Sequence, residues 1–395
     1  MTATSLRKSD EPGTTTPQSP WSPPKIQVAD LEEWSLLLHS TSRPVLVHLN
    51  ADTTWLLQLP YPSSTTPPPG RSRFNILLDP WLQGPQSDVA SWFSTQWHVV
   101  APSVATITEL NKLLRDTEGR PTASDTNNGH NQLSGSKAQP LAHQENALKQ
   151  LEQLEPETEP GPSEEHGAVS FIDVVAISHE FTDHCHRATL EELPPSTPVF
   201  AADVAADLIR SWGHFDQVIT TPALGSGVEW SRLTVGPLPD WVAIGRVITA
   251  GNALYYHAAT LVAFDLQAGD GCEAVIYSPH GIDSKDLTEI ESSRIKTLAL
   301  LHGLHDVRIW MTKQLNLGAL NGIKAVSACG AKYWVATHDE VKKGGGFIAP
   351  LLQRTSYTFK DALRHEEERL KHSVDKQLPP YQFIELGSGD GLVLM

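Results

Sequence analysis

The stretch Val174-Val175-Ala176-Ile177-Ser178-His179-Glu180-Phe181-Thr182-Asp183-His184-Cys185-His186 runs a buried-strand pattern into a loop crowded with imidazoles and carboxylates. Nitrogen and oxygen donors of this kind suit zinc and its neighbours, and a strand end is a rigid base from which they can converge. An ion so held lowers the pKa of a water to about 7, the starting point for attack on a carbonyl or phosphoryl centre. Taken alone, the same residues also fit a polar loop whose histidines cap the next helix, because short motifs recur by chance. Cys185 and His186, just beyond, read as packing residues rather than ligands.

Such a loop needs strands to hold it. Residues 45–49 and 55–59 flank the turn-like Asn50-Ala51-Asp52-Thr53-Thr54 and read as a β-hairpin, with 74–78 as a third strand ending at Asp79-Pro80. A strand at 172–177, a strand at 198–200, a helix at 202–212 and a strand at 217–221 follow. Asp203 is the expected N-cap of that helix and Gly213 its terminating glycine. Later β-like runs cover 261–264, 274–277, 307–311 and 332–336, and the alternation predicts a layered α/β domain.

Four further signals read as structural. His302 and His305 are spaced for one helix face, and the residues after them suggest a helix end leading into a strand. Lys342-Lys343-Gly344-Gly345-Gly346 reads as a solvated loop, and 359–372 as a solvated surface helix. Glu385-Leu386-Gly387-Ser388-Gly389-Asp390-Gly391 imitates a nucleotide-binding loop, but too little chain follows for the helix such a site requires. It reads instead as a turn between two terminal strands.

His179, Phe181, Asp183 and His184 stand in the register of His-x-His-x-Asp-His, and the chain resembles the metallo-β-lactamase superfamily, which places that motif directly after a buried strand. Leu77-Leu78-Asp79-Pro80-Trp81-Leu82 resembles the early strand ending in Asp-Pro-Trp of its lactonase-like branch. His257, after Ala253-Leu254-Tyr255-Tyr256, resembles the third motif, and Tyr333-Trp334-Val335-Ala336-Thr337-His338 resembles the strand leading into the last ligand. His280, in Ser278-Pro279-His280-Gly281, stands where the family has a bridging aspartate. The resemblance spans about residues 45–340 and implies a four-layer αββα metallo-β-lactamase-type sandwich.

The resemblance also implies a ligand set. A first site keeps His179 and His257 but loses its second histidine to Phe181, which cannot coordinate; a second keeps Asp183, His184 and His338, with His280 approaching the bridge. One divalent ion, zinc, is therefore expected rather than two, and Asp183 is the expected catalytic residue, orienting hydroxide or acting as general base.

With 395 residues, 39% of them hydrophobic, the chain can bury a sizeable core. Its net charge of −16 opposes the phosphate backbone and anionic membrane surfaces, so the expected partner is a small-molecule substrate, with neither nucleic acid nor membrane. Residues 1–24, rich in Ser, Thr and Pro, are expected to be a disordered tail, and 25–395 one domain. About 116–167 reads as a disordered acidic insertion within it, with ten acidic and four basic residues between Arg115 and Ala168. Three scattered cysteines, no apolar N-terminal run and no stretch of about 18 apolar residues point to a cytoplasmic chain. The expected activity is metal-dependent hydrolysis of a small-molecule ester, lactone or phosphoester; the alternative is a catalytically degenerate protein that binds a ligand or partner on the same fold.

Overall fold

The computed structural model describes residues 23–119 and 170–395, apart from 89, 226, 249–255, 268–270, 289, 291–292, 310–312 and 372–379. Most of the expected tail and of the expected insertion lie outside the described residues, although helix Ile107–Glu118 runs into the start of the latter. The strands on either side of it, Arg73–Leu78 and Val174–Ile177, are parallel neighbours in one sheet.

Two sheets form the centre. One has eight strands in the order Lys25–Gln27, Asp390–Val393, Val45–His48, Trp55–Pro60, Arg73–Leu78, Val174–Ile177, Val199–Ala201, Val218–Thr220. The other has six, in the order Gln382–Ile384, Tyr333–Val335, Ile295–His302, Cys272–Ser278, Ala258–Phe264, Val242–Ile248.

Side chains alternate across each strand, and both faces are covered. Leu46, Leu57, Ile76, Leu78 and Val174 pack against Val262, Phe264, Val275, Tyr277 and Val335 of the opposite sheet. Their neighbours Val45, Val47, Leu56, Leu77 and Val175 face outward onto Trp34, Leu38, Leu110, Leu114 and Ile209 of the first helical layer. Beyond the second sheet, Leu261, Ile276, Leu300 and Trp334 pack on Ile323, Val326 and Ala362 of helices Ala319–Ala328 and Phe359–Leu370. At about 1.5–3 kcal/mol for each large apolar side chain, this two-faced burial explains why the strands read as unbroken apolar runs. The four-layer αββα sandwich is as expected.

The 45–60 hairpin pairs Val45 with Gln58 and His48 with Trp55, as its turn implies. Several local expectations are corrected. Ala202, not Asp203, is the N-cap of helix Asp203–Trp212 and makes no side-chain cap bond, while Gly213 does end the helix at φ 66°. Leu298 to His302 are the end of a strand and not of a helix, because two parallel neighbours bury the run on both sides. The turn at Glu385–Asp390 does join the two terminal strands, and because these lie in different sheets it carries the chain across the sandwich. The Lys342 side chain is only 6% exposed, as described below.

Lys313–Asn316, Asp306–Ile309 and Leu352–Thr355 form a small separate antiparallel sheet. Among the described residues no helix is long and apolar enough to cross a membrane.

Candidate metal centre

Arg73–Leu78, Val174–Ile177 and Val199–Ala201 run parallel, as do Cys272–Ser278, Ile295–His302 and Tyr333–Val335. Their carboxyl ends are where an α/β sheet leaves backbone free to build a site. Asp79 follows the first strand, His179 to His184 the second, His280 follows Cys272–Ser278, and His338 follows Tyr333–Val335. Two of these are held in the left-handed region, Asp79 at φ 42° and His338 at φ 57°, a conformation that non-glycine residues keep only where surroundings enforce it. Gly281, at φ 79°, turns the chain beside His280; a Cβ there would lie 2.6 Å from that of Leu317, so only glycine fits.

Every imidazole of the cluster has its Nδ1 tied to an acceptor. His184 Nδ1 donates to Asp79 Oδ2 at 2.6 Å, and His280 Nδ1 to Asn316 Oδ1 at 3.0 Å and Leu315 O at 3.1 Å. His338 Nδ1 donates to Asp52 Oδ1 at 3.0 Å. Ser178 Oγ donates to Asp79 Oδ2 at 2.5 Å and so accepts from His179 Nδ1 at 2.7 Å. With Nδ1 carrying the proton, each Nε2 presents a lone pair, the tautomer that second-shell acceptors impose on metal-binding histidines.

Three of those lone pairs converge. The ligand atoms of His179, His184 and His280 lie within 4.8 Å of one another, with His184 Nε2 3.2 Å from His280 Nε2. A tetrahedral ion with nitrogens at 2.0–2.1 Å holds them about 3.3 Å apart, so that spacing suits one ion. A proton on His184 Nε2 would satisfy its contact with His280, but it would leave His179 Nε2, which is buried and has no hydrogen-bond partner. One cation satisfies all three.

The electrostatics agree. Burial, then the neighbouring imidazoles, drive His179 and His280 well below the usual histidine pKa and keep them neutral donors. His184 shifts the other way: against its burial, Asp183 and Asp79 raise it, favouring positive charge at the shared nitrogen.

A second group, Asp183, His184 and His338, also has ligand atoms within 4.8 Å of one another, and His184 is common to both groups. Asp183 Oδ1 is 3.6 Å from His184 Nε2, and Oδ2 is 3.9 Å from His338 Nε2. This group already contains a cation. Lys342 Nζ lies 2.6 Å from Asp183 Oδ2, a hydrogen bond, and 2.6 Å from Asp52 Oδ2, an ion pair outside hydrogen-bond geometry. Burial opposes ionisation at all three groups, but Lys342 holds both carboxyls well below the carboxylate range, and they in turn raise the lysine.

His257 lies in neither group. Its Nε2 is 3.0 Å from Leu315 O and donates to that carbonyl, so this nitrogen offers no lone pair. Phe181 packs edge-on against His179, 4.9 Å between ring centroids, and coordinates nothing. Cys185 is in the core, and His186 bonds Thr189 at the start of helix Arg187–Leu190.

Asp52, Asp79 and Lys342 were not among the expected site residues. Asp79 was visible as the end of a strand in Asp-Pro-Trp; Asp52 looked like turn chemistry and Lys342 like a solvated loop.

A cavity of about 270 Å³ opens onto the cluster and is lined by Phe181, Asp183, His280, His338 and Lys342. The small antiparallel sheet adds Val307, Ile309 and Leu352 with the cations Lys313 and Arg354. A larger cavity of about 390 Å³ beside His48, Asp339 and Glu340 touches none of the four cluster imidazoles.

No family model and no curated protein matches the chain. Among solved structures, a possible metal-dependent hydrolase from Veillonella parvula is similar over 90% of this chain and 100% of its own, at 11% identity and a TM-score of 0.46. An isothiocyanate hydrolase from Delia radicum gut bacteria covers 89% of this chain and 100% of its own, at 13% identity and 0.43. The metallo-beta-lactamase fold protein YhfI from Bacillus subtilis covers 56% and 77%, at 14% identity and 0.35. On its own strand order, its two helical layers and the strand ends that carry its histidines and aspartates, the chain has the metallo-β-lactamase-type αββα fold.

Proposed function

We propose that the protein is a metal-dependent hydrolase of a small molecule, with one divalent ion held by His179, His184 and His280. The observation that carries this is the convergence of three imidazoles whose Nδ1 atoms are tied to partners, with one Nε2 buried without a partner. A donor set of three neutral imidazoles favours zinc over magnesium or calcium. When bound, such an ion would supply a Lewis acid for a carbonyl or phosphoryl oxygen and would make a water acidic enough to ionise near neutral pH.

The chain's own residues do the rest. Asp183, kept ionised by Lys342, offers Oδ1 as the acceptor that orients the attacking water. His338, whose tautomer Asp52 fixes, lines the cavity and would receive the proton at Nε2. The cavity suits a small ester, lactone or phosphoester with an apolar part, and Lys313 and Arg354 favour an anionic group on it. The net charge of −16 argues against nucleic acid as substrate. Three buried free cysteines suit a reducing compartment, the cytoplasm.

A catalytically silent binding protein is the second reading, favoured by Lys342 tying up one oxygen of Asp183. Elemental mass spectrometry of the purified protein, followed by a screen of ester, lactone and phosphoester substrates, separates them. About one equivalent of zinc, lost in His184→Ala, with turnover of a screened substrate supports the hydrolase; a folded, metal-free wild type overturns it.

A further inference from the structure

The fold has room for a second cation between Asp183, His184 and His338, but the residues there do not suit one. Asp183 Oδ2 is engaged by Lys342 Nζ at 2.6 Å, and the same ammonium reaches Asp52 Oδ2 at 2.6 Å. The three side chains are 10%, 6% and 0% exposed for Asp183, Lys342 and Asp52, so water screens their charges little. An ion ligated by Asp183 would share that carboxylate with an ammonium a few ångströms away, a like-charge contact in a poorly screened interior. His184 Nε2 already faces His280 at 3.2 Å and is committed to the first ion, so a second ion has to take the place of the ammonium, between Asp183 Oδ2 and Asp52 Oδ2.

We propose that the Lys342 ammonium stands in the place of a second divalent cation, so that the protein is built for a single ion at His179, His184 and His280. The lysine is a permanent cation: it neutralises one of the two carboxylates, holds Asp183 in one orientation, and leaves Asp52 free to fix the tautomer of His338. Its stem comes from the loop just after His338, and its Nζ lies 5.3 Å over the Trp81 ring. This rests on the metal-site reading above.

The test is metal stoichiometry, independent of any activity. Full-length wild type, Lys342→Met, Lys342→Arg and His280→Ala are stripped with chelator, dialysed against zinc, and assayed for bound equivalents, with folding followed by circular dichroism. The expected result is one equivalent in wild type and in Lys342→Arg, two in Lys342→Met, and none in His280→Ala. Two equivalents in wild type overturn the proposal whether or not the variants fold. One equivalent retained in His280→Ala overturns it too, because the ion then sits with Asp183, as does a folded Lys342→Met that still binds one. A metal-free wild type overturns the hydrolase reading; in that case Lys342→Met gaining one equivalent upholds the lysine's role, and gaining none overturns it.

Discussion

The two ends of the candidate centre solve the same electrostatic problem in opposite ways. At one end, His179, His184 and His280 are buried with lone pairs facing each other and nothing charged of their own to satisfy them. At the other, Asp52 and Asp183 are just as buried, but Lys342 reaches both. The first end is incomplete without a cation from outside, and the second carries a cation of its own. Equal burial and a shared histidine do not make two equivalent metal sites; what matters is whether the chain has supplied its own positive charge.

Removing Lys342 is the strongest way to break this contrast. Lys342→Met leaves two buried carboxylates without their counter-ion and is expected to lower unfolding free energy by about 3–5 kcal/mol, measured by urea denaturation without added metal. A loss under about 1 kcal/mol would mean that the second end does not rely on Lys342 as its counter-ion.

His302 supplies a reference: a fully buried imidazole with both nitrogens paired, Nδ1 donating to Gly303 O at 2.8 Å and Nε2 accepting from Asn321 Nδ2 at 3.0 Å. Burial lowers its pKa to about 4. Between that value and the unfolded pKa of about 6.5 the unfolded chain binds the extra proton, so this stability is fully present above 6.5 and is lost as pH falls toward 4. The expected loss is about 3 kcal/mol. His302→Gln should make the stability profile less steep in that window; an unchanged slope would show that His302 does not contribute to it.

Asp79 orients two of the three converging imidazoles, His184 directly and His179 through Ser178. Asp79→Asn is expected to weaken zinc binding by about 10- to 100-fold in a chelator competition. Asn316→Ala removes one of two acceptors at His280 Nδ1 and leaves the Leu315 carbonyl. Its effect should be below about tenfold. If Asn316→Ala proved the more damaging, the orienting work would lie with His280 and not with the shared His184.

The layers were legible because burial on both faces imposes a local pattern: the apolar runs at 45–49, 74–78 and 172–177 each became central strands of the larger sheet. The 298–302 run was harder. Leu298-Ala299-Leu300-Leu301-His302 suits a buried helix as well as a buried strand, and only the parallel neighbours on either side decide between them.

By itself the sequence determined which strand ends carry histidine and aspartate, and so the chemistry that can occur where they meet. That information is local, written in single residues following apolar runs. Tertiary structure alone decided which lone pairs face one another, that His257 is turned to Leu315, and that Lys342 enters the centre instead of water. Those outcomes depend on contacts between residues as far apart as Asp52 and Lys342, where the loop's own composition favours solvent and the buried carboxylates outweigh it.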